Sequence, residues 1–147
     1  MGLRSLWSSM IYSFNGEFRF LSNFWPVEVM FEGDLYSSVE AAYVAAKFID
    51  KTMREMVRRC KTAGEAKRFG ETWASQVRPD WYGINLGIME NLLRSKFENV
   101  ELRQKLLETG DQELVEGNTW GDTFWGVCDG IGENNLGKLL MKIRSEL

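Results

Sequence analysis

Residues 36–48 read YSSVEAAYVAAKF, and this stretch decides how the chain is built. Ser37 or Ser38 supplies an N-cap, because a short hydroxyl accepts a hydrogen bond from the first free N–H groups of a helix. The alanine-rich run behind it is strongly helix-forming. Glu40 and Lys47 stand seven positions apart, so they return to nearly the same face two turns later, together with Tyr43 and Val44. Ala41, Ala42, Ala45 and Ala46 let other backbone approach closely, so the helix is expected to be buried. A carboxylate and an ammonium on a buried helix need partners or a purpose. The plain alternative is a Glu favoured by the positive end of the dipole and a solvated Lys near the other end.

Upstream, IYSFN (residues 11–15) alternates as a short strand that Gly16 can turn. FRFLSNFWP follows as an aromatic-rich loop ending at Pro26, with Phe18, Phe20, Leu21, Phe24 and Trp25 expected in the core or a pocket wall. Ser22 and Asn23 interrupt it, and short side chains of this kind usually bond to nearby backbone. VEVMF has period-two alternation, with Val27, Val29 and Phe31 on one side; EGD reads as a hairpin turn and LY as the return strand.

Downstream, the pattern predicts a helix over 52–60 capped by Thr52, and another over 63–69 ended by Gly70. Trp73 and Val77 are expected to pack under the loop after it. RPDWYGINLGIMENLLRSKFENV is the longest helical signal, with Asp80 as N-cap and a stripe of Ile84, Ile88, Leu92, Leu93 and Phe97. Gly83 and Gly87 each weaken it by up to about 1 kcal/mol relative to Ala, which points either to close packing there or to a surface that tolerates them. VELRQKLL (residues 100–107) is another helix, stopped by Thr109-Gly110. Leu114-Val115 reads as a short strand, followed by glycine-rich chain. Asn134 or Asn135 caps a last helix over 136–146, with Leu139, Leu140 and Ile143 inward. The whole is a helix-dominated α+β chain with a small antiparallel β element, read as one domain over 1–147.

Composition narrows the chemistry. A 44% hydrophobic, 13% aromatic chain of 147 residues folds into a globule. A net charge of −3 gives no general attraction to nucleic acid, and the basic residues of MREMVRRCKTAGEAKR read as a solvated helix face. Cys60 and Cys128 form no CxxC pair, which points to a reducing, cytoplasmic setting. The opening MGLRSLWSSM is neither signal peptide nor membrane span, and Leu6 breaks the myristoylation pattern. No membrane partner is expected. There is no histidine, so Ser-His-Asp and Cys-His machinery and His-ligated metal sites are excluded. Acid–base work falls to Glu, Asp, Lys, Tyr or water.

Two further stretches carry chemistry. In TWGDTFWG, Asp122 sits between Trp120 and Trp125 amid glycines. It is either a carboxyl held among large rings or an Asx-type turn bonded to backbone near Phe124. Trp125 either stacks on a heterocycle or belongs to the core. GIGENNLGK (residues 130–138) runs glycine-rich chain into a helix N-terminus, a ready anion site with Gly132 and Asn134 at its mouth. It is neither GxxxxGK[ST] nor GxGxxG after a predicted strand, and a helix entry that needs glycine for tight packing explains it nearly as well.

SVEAAYVAAKF, with FLSNFWP before it, RPDW, IM and KF in the middle, and LLETG, LVE, DTFWG and GENNLGKLL at the end, resembles the NADAR (YbiA-like) family. The blocks stand in family order from Phe18 to Arg144. The resemblance implies hydrolysis of N-glycosidic bonds in nucleotide-like compounds, with ribose C1 attacked. It puts the family's SVE glutamate on Glu40, its AAK lysine on Lys47 and its DxFWG aspartate on Asp122 as catalytic residues. Asn23, Arg78, Trp81, Trp125, Gly132 and Asn134 become substrate-binding candidates. Two departures stand out: Ala41 where many members have His, and Asn85 where many have Lys. The implied partner is a small phosphorylated ribosyl compound of the riboflavin-pathway type. The alternatives are ADP-ribose on guanine bases of nucleic acid and a non-catalytic ADP-ribose-binding module. Glu40 can stabilise positive charge at C1, bind ribose hydroxyls or activate water; Lys47 can attack C1 as a Schiff-base nucleophile or give electrostatic support. None of these roles needs a metal or redox cofactor.

Overall fold

The computed structural model describes residues 10–147, so the reading of the opening MGLRSLWSS lies outside the described residues. The described chain forms two compact units, one over Asn23–Asn99 and one made of residues 10–22 with Val100–Leu147.

The first unit starts from a hairpin. β2 (Val29–Phe31) pairs antiparallel with β3 (Asp34–Tyr36), Val29 opposite Tyr36. Glu32 and Gly33 both take positive φ, 47° and 87°, the combination that lets a two-residue turn follow the twist of its strands. Val29 and Phe31 are buried and Met30 is exposed, as the alternation predicts.

Helix α1 (Val39–Ala46) follows, and Ser38 is its cap: the hydroxyl accepts from the Ala41 N–H at 3.0 Å. Val39 and all of residues 41–46 are buried. Neighbouring backbone comes close to this helix at Val44: a Cβ added at Gly70 would stand 3.0 Å from Val44 Cγ1. Gly70 therefore does not end its helix. It is a contact point inside α3 (Ala63–Thr72), which is capped by Thr62. The preceding helix α2 (Lys51–Arg58) is capped by Asp50 and not by Thr52; Asp50 Oδ1 accepts from the N–H groups of Thr52 and Met53. Trp73 is 41% exposed instead of packed under the following loop.

Helix α4 (Trp81–Lys96) is the longest. Its buried face runs Trp81, Asn85, Met89, Leu92, Leu93 and Lys96, with Phe97 buried just after; Leu92, Leu93 and Phe97 lie inward as expected, whereas Ile84 and Ile88 are only half-buried. Two polar residues, Asn85 and Lys96, lie on that face, and the Lys96 ammonium sits 5.4 Å from the centre of the Phe97 ring. Gly83 and Gly87 meet nothing within 4 Å of an added Cβ, so they are open surface and not close contacts. Asp80 stands at the N-cap position but makes no side-chain cap bond; it is held by Arg78.

The second unit is built from pieces with little regular structure. β1 (Met10–Ile11) stops well short of residue 15, and residues expected as loop instead form a 3-10 helix, Gly16–Leu21, after Gly16 turns the chain at φ 57°. α5 (Val100–Glu108) leads to β4 (Glu113–Leu114), which pairs parallel with β1. β5 (Gly117–Asn118) pairs parallel with β6 (Val127–Cys128), and α6 (Asn135–Ser145) ends the chain. The antiparallel hairpin was expected; the two parallel ladders were not. Leu140 and Ile143 are buried, whereas Leu139 is half-buried. No described helix is long and apolar enough to cross a membrane.

Candidate active site

Within the first unit the candidates converge on one face of α1. Glu40 is half-buried, and its backbone N–H donates to the Asn23 carbonyl at 3.0 Å. The Asn23 side chain reaches α4, where its Nδ2 approaches Met89 Sδ at 3.6 Å; its Oδ1 is buried with no hydrogen-bond partner. Two turns along α1 from Glu40, Lys47 folds back over the preceding turn, its Nζ 5.4 Å from the centre of the Tyr43 ring. Trp81 is 3% exposed and packs against that ring, centroid to centroid 4.9 Å at 60°. Tyr43 is thus touched both by Lys47 and by Trp81.

The electrostatics of this face are decided by burial. Desolvation holds the Lys47 ammonium below the ordinary lysine range; Glu40 and then Glu71 pull it upward, and Lys67 adds to the fall. Burial wins, which brings the neutral amine nearer to neutral pH.

Arg78 lies beside this face through its backbone, its N–H donating to the Lys47 carbonyl at 2.8 Å. Its guanidinium forms a fork on Asp80, 2.6 and 3.1 Å, which raises the Arg78 pKa and lowers that of Asp80. An anion bound by Arg78 would have to compete with that carboxylate. Arg78 also lines a cavity of about 620 Å³ with Phe48, Trp73, Gln76 and Val77 among its walls.

The remaining candidates belong to the second unit, where each has a task inside the fold. Asp122 forms the Asx-type turn: its Oδ1 accepts from Phe124 N–H at 3.1 Å and Trp125 N–H at 2.9 Å. Asn118 braces the same loop, donating to the Asp122 carbonyl and accepting from its N–H. Trp125 is half-buried and edge-on to Phe124. Gly132 has φ 153°, and a Cβ there would run into the Gly126 carbonyl. Asn134 takes the left-handed conformation, φ 54°, before α6 and makes no side-chain cap bond. Its amide instead clamps the 114–116 chain, donating to the Leu114 carbonyl at 2.9 Å and accepting from Glu116 N–H at 3.0 Å. The free N–H groups expected at this helix entry are taken: those of Glu133, Asn134, Asn135 and Leu136 donate to the carbonyls of Thr123, Gly126, Phe124 and Trp125.

Sequence reasoning passed over Asn85, noted only as a departure. The signal was there: counting in fours from Trp81 gives Asn85 and Met89, one continuous buried line. Among the described residues, no group of three or more His, Cys, Asp or Glu side chains is placed to hold a metal ion.

The helix-rich α+β fold, with an acid and an amine at the two ends of one alanine-rich helix, is that of the YbiA type. The NMR structure of the E. coli protein YbiA matches with a TM-score of 0.82 at 34% identity, over 92% of this chain and 82% of that one. N-glycosidase YbiA of Escherichia coli (strain K12) is 37% identical over 140 residues, 92% of this chain and 86% of YbiA. A riboflavin biosynthesis protein of Vibrio vulnificus is 41% identical over 130 residues, 87% of this chain but 35% of that longer protein. The family model for the NADAR domain matches residues 12–147. The chain belongs to the NADAR family.

Proposed function

We propose that this chain hydrolyses the N-glycosyl bond of a small phosphorylated ribosyl compound of the riboflavin-pathway type, with Glu40 and Lys47 as the reacting groups. It is a hydrolase of N-glycosyl bonds, the activity for which its YbiA relatives are named. The observation that carries the reading is Lys47 on the face it shares with Glu40: an amine set over the Tyr43 ring, which Trp81 also packs against, and held by burial below the ordinary lysine range. A lysine whose main task was to neutralise a carboxylate would be shifted upward.

The chemistry follows from those two groups. Breaking the bond between ribose C1 and a heterocycle nitrogen builds positive charge at C1, which the Glu40 carboxylate stabilises. The neutral Lys47 amine forms a bond to C1, and the heterocycle leaves with the electron pair of the broken bond and takes up a proton. Ring opening turns the adduct into an imine. Water adds at C1, the bond to Nζ breaks, and the free sugar and the lysine are released. The acidic net charge favours a free metabolite over a nucleic-acid substrate. Two free cysteines accord with a cytoplasmic setting.

The test is product release from phosphoribosyl heterocycles of the riboflavin pathway and, separately, from guanine-linked ADP-ribose in DNA. Glu40→Gln keeps the size of the side chain and is expected to lower turnover about 10²-fold, roughly 3 kcal/mol in the barrier, with little change in melting temperature. Lys47→Arg keeps the charge but cannot readily deprotonate, so it should lose activity as severely, and borohydride should trap an adduct in the parent only. A folded parent that turns over neither substrate, or parental rates in both Glu40→Gln and Lys47→Ala, overturns the reading.

A further inference from the structure

We propose that Asn85 contacts the substrate: its amide, together with that of Asn23, receives hydroxyl groups of the ribosyl ring beside the bond that is cleaved. The inference rests on the N-glycosidase reading and adds a residue to it.

Asn85 is 5% exposed, and its amide makes no hydrogen bond among the described residues. Among the described residues, the buried side-chain atoms with no partner belong to Asn23, Tyr36 and Glu116, so the Asn85 amide still reaches solvent and is open to a partner from outside the chain. The place of Asn85 on α4 says what that is. One turn before it, Trp81 packs against the Tyr43 ring that Lys47 also covers. One turn after it, Met89 meets the Asn23 amide, and the Asn23 carbonyl holds the N–H of Glu40. The contact leading to the amine and the contact leading to the carboxylate therefore bracket Asn85 on a single helix face.

Asn23 repeats the same feature, with an Oδ1 that is buried and has no partner. Two uncharged amides offer donors and acceptors together and no net charge. That suits a hydroxyl, which both gives and takes a hydrogen bond, and suits a phosphate poorly, since phosphate is best met by cationic forks. In the proposed reaction C1 must come within reach of Glu40 and Lys47, so the ribose hydroxyls are the groups of the substrate nearest these amides.

Asn85→Leu, similar in size and unable to hydrogen-bond, tests this with two independent readouts. The melting temperature of the free protein should stay nearly level, because the Asn85 amide makes no hydrogen bond within the described chain to lose. KM should increase roughly tenfold or more with a smaller fall in kcat, and ribose 5-phosphate should raise the melting temperature of the parent but not of the variant. A clear drop in melting temperature with KM unchanged would mean a structural amide and overturn the inference, as would a parental KM in a variant of any stability. Should Asn85→Leu fail to fold, Asn85→Ser, which shortens the reach without adding bulk, carries the same KM and ribose 5-phosphate tests. The two readings fail separately. A parent inactive on every N-ribosyl compound, yet stabilised by ribose 5-phosphate through Asn85, sinks the hydrolase and spares the inference; an active parent indifferent to Asn85→Leu does the reverse.

Discussion

The glycine-rich chain from Gly117 to Asn135 and the α1–α4 face from Asn23 to Met89 use their polar groups in opposite ways. In the glycine-rich chain they turn inward. Asn118 and Asp122 hold the loop to itself, Asn134 clamps the 114–116 segment, and the N–H groups entering α6 are spent on loop carbonyls. Several glycines in it and just after it are equally committed: a side chain at Gly126, Gly132 or Gly137 would strike the carbonyl of Glu116, Gly126 or Leu114. On the α1–α4 face, Asn23 keeps an unsatisfied acceptor, Asn85 is buried without a hydrogen bond, and burial presses Lys47 toward its neutral form. The lesson is that residues which read alike as site candidates divide by where their bonds go. One region has spent its polar capacity on architecture, and the other has some left over.

The largest effect expected from this contrast is Gly137→Ala. The added methyl meets backbone, which cannot swing aside, so stability should fall by about 3 kcal/mol or more in denaturant unfolding. A loss under half that size would mean the 114–137 packing is far looser than described.

Next comes Asn134→Ala, which strands a buried donor and acceptor. Unfolding should register a loss of about 2 kcal/mol, while KM for the phosphorylated substrate stays within a few-fold in the fraction that remains folded. A stable variant with a steep rise in KM would transfer Asn134 to the ligand and break the comparison.

The smallest is Lys47→Met, judged by stability alone. The folded pKa of Lys47 lies below its unfolded value. Below both values the burial penalty is fully present. As pH rises between them the unfolded chain holds more protons, and the parent gains stability. The variant should therefore be modestly more stable at neutral pH, and its advantage should shrink as pH climbs toward about 10.4, the unfolded lysine value. An advantage that is flat across this range would remove the buried-amine argument.

What could be read in the sequence follows the range of each signal. Helix α1 was legible because its cap, its alanines and its seven-residue Glu–Lys spacing are all local. The hairpin was legible for the same reason, through alternation and an EGD turn. Helix α4 was read correctly at Leu92, Leu93 and Phe97, which are buried, but not in its first half: a stripe drawn through Ile84 and Ile88 assumes that the buried face is apolar there, and Asn85 breaks that assumption. The parallel ladders were out of reach: two residues carry no period, and their partners lie far along the chain. Glycines were ambiguous throughout. Gly83 and Gly87 look as costly as Gly126 and Gly137 on paper, yet the first pair faces open space and the second touches carbonyls. For Asp122 the residues allowed both readings, and the hydrogen bonds supply the turn.

The pairing of Met10 with Glu113 also bears on how the chain comes to be folded. The Asn23–Asn99 unit is continuous in sequence and can form while synthesis is still under way. The other unit must wait for a strand that emerges about a hundred residues after its mate, and closing a loop of that length is a late, entropically opposed event. Pulse-labelling hydrogen exchange during refolding should therefore protect the amides of α1 and α4 before those of β1 and β4. In the interval, a nascent chain would carry a formed Glu40–Lys47 helix while its amino-terminal strand was still without a partner.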